Sequence, residues 1–134
     1  MSRSRSVLAL AIAAVLTLAA VAVAKPTPVA TTTTFKAIFD ESSARNELSG
    51  QLKSPKAACK ANRRFIVTMP SPMPPGFKPV TAGKGDAAGK WSAEVPGAVL
   101  PAGSRMTVIF KTTRVGNLLC KEAKKTVASA TPAA

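Results

Sequence analysis

From residue 35 onward the chain alternates apolar and polar positions in short blocks. Phe35, Ala37 and Phe39 share one face of an extended segment, with Lys36, Ile38 and Asp40 on the other. Leu48, Gly50 and Leu52 alternate with Ser49, Gln51 and Lys53. Phe65, Val67 and Met69 alternate with Arg64, Ile66 and Thr68, and Met106, Val108 and Phe110 with Arg105, Thr107, Ile109 and Lys111. A period of two marks a half-buried strand. Short edge strands are predicted at Phe77 to Thr81 and Thr126 to Ser129. Gly50, inside its strand, marks a bulge or a close approach. Glu41 to Asn46, Ala98 to Gly103 and Thr112 to Asn117 read as loops or turns. Pro70, Pro72, Pro74 and Pro75 predict a stiff loop with Met73 at its tip, because proline removes a ladder donor. About seven short strands with Gly/Pro punctuation and no amphipathic helix predict an all-β sandwich over residues 35–129.

The block around which these strands group is Gly85-Asp86-Ala87-Ala88-Gly89-Lys90-Trp91. Asp86 and Gly89 carry turn chemistry, since an Asp side chain bonds nearby backbone and Gly tolerates positive φ. Trp91, Ala93 and Val95 then share one face, Ser92 and Glu94 the other, and Pro96-Gly97 ends the pairing. This alternation makes Trp91, the chain's single Trp, a core anchor. The rival reading is an exposed ligand-stacking ring.

Residues 1–24 read as an export signal. Arg3 and Arg5 precede an apolar run, and Ala22-Val23-Ala24 is a small-x-small site with cleavage expected after Ala24. An uncleaved membrane anchor is the alternative, since the run is long. Residues 25–34 are Pro/Thr-rich and read as an extended linker, and 130–134 as a flexible tail. The leader places the chain outside the cytoplasm, where the even pair Cys59 and Cys120 favours a disulfide. The sequence has no His and no Cys-x-x-Cys to build a zinc site.

The six acids are scattered, His and Tyr are absent, and no nucleophile motif occurs. No catalytic residue, metal or cofactor is assigned, and the chain reads as non-enzymatic. Charge is the stronger signal: 19 basic residues give a formal net of +13, lowered by two on loss of the leader. Such a domain attracts polyanions. Lys53, Lys56, Lys60, Arg63 and Arg64 form one cluster, and Lys121, Lys124 and Lys125 another. A Cys59–Cys120 bridge would set them side by side as one patch for an anionic polysaccharide, envelope polymer or protein. A generally basic surface that keeps the protein soluble is the plain alternative. Intracellular nucleic acid is disfavoured by the export signal and by the few aromatics available for base stacking. Contact with a membrane is expected only through an uncleaved leader.

Several blocks resemble carboxypeptidase regulatory-like domains, which share a transthyretin-like (prealbumin-like) sandwich. Leu48-Ser49-Gly50-Gln51-Leu52 resembles their opening x-Gly-x-Val strand, and Arg64 to Met69 their x-Val-x-Val strand. Asp86-Ala87-Ala88-Gly89-Lys90-Trp91 resembles their Asp-x-x-Gly-x-aromatic step. Ala102-Gly103 followed by Met106, Val108 and Phe110 resembles their Gly-x-Tyr-x-Val strand, with the Tyr missing. The resemblance implies a non-catalytic module with a structural, carbohydrate-binding or protein-binding role. An immunoglobulin-like sandwich ranks second. Its Trp follows the first Cys on the next strand, whereas here the Arg64 strand and the proline loop intervene between Cys59 and Trp91.

Overall fold

The computed structural model describes residues 25–72, 75–96 and 104–128. The leader with its Ala24 cleavage position, Met73 and the 130–134 tail lie outside the described residues. Eleven strands account for nearly all the regular structure: β1 (Thr27–Val29), β2 (Thr32–Thr33), β3 (Lys36–Asp40), β4 (Arg45–Lys53), β5 (Arg64–Pro72), β6 (Pro75–Lys84), β7 (Lys90–Pro96), β8 (Arg105–Phe110), β9 (Thr113–Val115), β10 (Leu118–Cys120) and β11 (Ala123–Ala128). One 3-10 turn, Ala57–Cys59, precedes β5.

The strands form two larger sheets and a small one. The first runs β11-β8-β5-β6, with neighbours antiparallel. In the second, β4 is central, with β2 and β3 along one side and β7 along the other. The alternating apolar sets of the two sheets meet. Phe35, Leu48, Leu52, Trp91 and Val95 come from the second sheet. Phe65, Val67, Met106, Val108, Phe110 and Ala123 come from the first. Each apolar set leaves water only by facing the other, so a two-layer β arrangement follows from the alternation.

Trp91 is the centre of this core, as its alternation predicts. It is 3% exposed. Its ring lies 5.0 Å from that of Phe65, 5.2 Å from Phe35 and 6.1 Å from Phe110, in tilted or edge-on geometry. The indole N–H donates to Thr33 Oγ1 at 3.0 Å, so the buried polar atom is satisfied. Gly50 is the reason the ring fits: a Cβ there would lie 2.2 Å from the Thr34 carbonyl and 2.5 Å from the indole nitrogen. The close approach expected at Gly50 is therefore real.

Elsewhere the ladder reaches further than the periodicity foretells. The expected linker 25–34 is structured. β1 pairs in parallel with β10, and β2 continues the β3 edge along β4. Thr and Pro do not prevent this, because strands at a sheet edge tolerate a missing donor. The proline stretch belongs to a hairpin in which Pro72 faces Pro75. β5 pairs with β8 only over Ile66–Thr68, so Pro70 and Pro72 lie where one side of β5 has no neighbouring strand among the described residues. β6 spans ten residues rather than the expected five. Thr113–Val115, expected as a turn, forms β9. The basic segment before Thr126 is the first half of β11.

Candidate anion-binding end

The site grows from the Asp86–Gly89 turn. Asp86 Oδ1 accepts the backbone N–H groups of Ala88 and Lys90, each at 2.9 Å. Gly89 sits at φ +87° with its would-be Cβ 2.8 Å from the Leu52 carbonyl, a position only glycine occupies without strain. Its own carbonyl accepts Leu52 N–H at 2.8 Å, and the Asp86 carbonyl accepts Asn62 N–H at 3.0 Å. The turn is thus a clip. It joins the end of β4, the start of β7 and the loop leading into β5.

Beside the clip, Cys59 and Cys120 are joined, with Cα atoms 5.3 Å apart. Both are fully buried, packed with Val29 and Leu118. The bridge ties the 3-10 turn to the small sheet β1-β10-β9.

Arg63 corrects the sequence reading. Assigned there to the exposed patch, it is 4% exposed. Its Nη1 donates to the Cys59 carbonyl at 3.2 Å and to Thr31 Oγ1 at 3.4 Å. Its Nη2 donates to the carbonyls of Lys111 at 2.7 Å and Lys121 at 3.3 Å. The guanidinium lies 6.0 Å from the Phe110 ring centroid, while Nε has no partner. Burial pushes the group below its ordinary pKa, yet arginine stays charged in proteins. The cation is solvated by backbone carbonyls from three separate segments, with no carboxylate among its partners. It is an internal fastener, held there because its planar fork reaches several acceptors at once. A cationic neighbourhood in sequence cannot separate such a residue from a surface one.

The remaining predicted residues lie at this same end of the fold. Lys53 closes β4 opposite Thr32. Lys56 and Lys60 flank the 3-10 turn. Arg64 opens β5. Lys121 follows the bridged Cys120, and its N–H donates to the Val29 carbonyl at 2.9 Å. Lys124 and Lys125 lie in β11 opposite Ile109 and Val108. Lys60 is half-buried and the others are exposed. The topology adds residues that sequence proximity misses. Lys84 pairs across from Arg64, Lys90 across from Gln51, Lys111 follows β8, and Arg114 lies in β9. Strand pairing and topology, not sequence proximity, bring them here.

Acids are sparse here. Asp86 is engaged by its turn, and Glu122 stands 4.0 Å from Lys124. Asp40, Glu41, Glu47 and Glu94 lie toward the opposite end, where Arg45 and Glu94 pair at 3.0 Å and Glu47 faces Glu94 across the ladder. Among the described residues these are the two ion pairs. The cations at the disulfide end therefore point into solvent largely unneutralised. An open groove of about 740 Å³ beside β3, β4 and β7 is lined by Lys36, Lys84 and Lys90 with Ser49, Ser92 and the acid Asp86.

Among the described residues no cluster of His, Cys, Asp and Glu is arranged to hold a metal ion, and no helix is long and apolar enough to cross a membrane. No protein-family model matches the chain, and no curated protein matches it.

Proposed function

We propose that this protein is an exported, non-catalytic β-sandwich module whose disulfide end binds anionic polymers of the cell envelope or surface. The observation that carries this reading is the segregation of charge. The fold gathers cations from β4 to β11 around one cross-linked end and leaves most acids at the other. A generally basic, solubilising surface needs no such sorting. The buried bridge is compatible with an oxidising, extracytoplasmic setting. A transthyretin-like or immunoglobulin-like role as a structural, carbohydrate-binding or protein-binding module accords with two layers packed about Trp91. Retention of the 1–24 leader would tether the same domain to a membrane with its basic end unchanged.

Binding of a polyuronate or polyphosphate across a salt series tests the reading. Affinity should fall steeply with salt, as contacts between exposed charges do. Lys121→Glu should weaken binding about fivefold or more at low salt, and Lys78→Glu, away from this end, less than about twofold. Equal effects of the two reversals would leave only non-specific basicity.

A further inference from the structure

The outer face of the first sheet carries a groove that the basic end does not explain. Because Phe65, Val67, Met106, Val108, Phe110 and Ala123 turn inward, the intervening Thr68, Thr107, Ile109, Lys124 and Thr126 turn outward. With Pro70, Phe77 and Arg105 they line a cavity of about 490 Å³. Phe77 is 74% exposed, an unusual position for one of only five phenylalanines in a chain with a single Trp and no Tyr. Its ring is a flat apolar shelf at the rim. The Thr107 and Thr126 hydroxyls bond each other at 2.8 Å, which leaves acceptor lone pairs for a ligand. Thr68, on the floor, is 8% exposed, and its hydroxyl has no partner, an uncommon state for a buried polar atom.

Cations stand at both ends. Arg105 faces Ala128 and Lys124 faces Ile109 in the β8–β11 ladder. Four residues of antiparallel strand therefore separate them, about 14 Å. That spacing does not suit one carboxylate held by both. It suits acidic groups on different units of one chain, with hydroxyl-bearing rings between them over the threonines, and with Phe77 flanking the Arg105 end. An apolar shelf, a row of hydroxyls and terminal cations are together complementary to a sugar acid.

Resting on the polyanion reading above, we infer that this groove recognises a short run of uronic-acid rings within an acidic polysaccharide. The basic end attracts the polymer, and the groove reads that it is a sugar. The test is calorimetric titration of the folded domain with a six-ring oligogalacturonate and with hexaglutamate, which carries the same charge without rings. The oligogalacturonate should bind about tenfold more tightly. Phe77→Ala and Thr107→Val should each erase most of that advantage while leaving hexaglutamate binding unchanged, and Phe77→Trp should preserve it. Phe77 is exposed, so its replacement should not perturb folding. Equal binding of the two ligands, or an advantage untouched by Phe77→Ala, overturns the groove and leaves the charge-driven reading standing. Failure of both ligands to bind even at low salt overturns both.

Discussion

The two ends of this fold solve opposite problems. At the end bearing Asp40, Glu41, Glu47 and Glu94, charges of both signs are interspersed, and the strands are held by ladder bonds and one exposed pair, Arg45–Glu94. At the disulfide end, cations crowd with few acids to offset them. There the chain uses a covalent bridge, a buried arginine bonded to four acceptors, and the Asp86–Gly89 clip. Concentrating like charge destabilises a compact state. The lesson is that a highly charged surface and a heavily fastened interior belong together: the fasteners are placed where repulsion is greatest.

The strongest way to break this contrast is to remove the bridge. Cys59→Ala/Cys120→Ala opens a loop with a sequence separation of 61, and the chain-entropy treatment gives a loss of about 4 kcal/mol. The loss should appear as a lower midpoint in urea, and it should shrink at high salt if repulsion at that end contributes. Next comes Arg63→Ala, which strips carbonyls of Cys59, Lys111 and Lys121 of a buried donor. A cost of about 3 kcal/mol is expected, with Arg63→Lys recovering only part of it, because an ammonium lacks the fork. Equilibrium unfolding of the pair with and without the bridge would show coupling between the two fasteners.

At the other end the effects should be small. Arg45→Ala removes an ion pair whose side chains are 52% and 57% exposed, and a cost of no more than about 0.5 kcal/mol is expected in the same urea experiment. A larger value would mean that this end, too, depends on a specific fastener. The smallest effect concerns Asp40, whose carboxyl accepts the Ser42 hydroxyl at 2.6 Å and the Ser42 N–H at 3.0 Å. These bonds hold its pKa below the ordinary value. The turn they support is therefore fully formed above about pH 4 and loosens as pH falls through the lowered native pKa. The Ser42 amide shift across an acid titration would report it, and Asp40→Asn should abolish the pH dependence.

The core was largely legible in the sequence, because period-two alternation states directly which side chains face inward. Trp91, Phe65, Val108 and Leu52 all lie where that rule puts them. The turn chemistry of Asp86 and Gly89 was equally plain. What escaped depends on partners distant in sequence. Thr27–Val29 has no alternation of its own and becomes a strand only because β10 offers it a parallel edge. Pro70 and Pro72 stand in β5 beyond the stretch that β8 pairs, a limit set by a strand some forty positions away. Arg63 and Arg64 are adjacent and chemically identical. One is sealed inside and the other faces solvent, a distinction made by carbonyls from Lys111 and Lys121, 48 and 58 positions away. The basic end was half visible, since its local clusters can be read but the partners brought by strand pairing cannot.

The parallel pairing of β1 with β10 also sets an order of events during synthesis. Thr27–Val29 is made 91 positions before its register partners, Leu118–Cys120. The same late residues complete the bridge to Cys59 and supply the Lys121 carbonyl that receives Arg63. A nascent chain thus holds β1, Cys59 and the buried Arg63 in waiting until residues 118–121 have been made. Contacts closed over such distances form slowly, so the fastening of the disulfide end is expected to be among the last steps of folding.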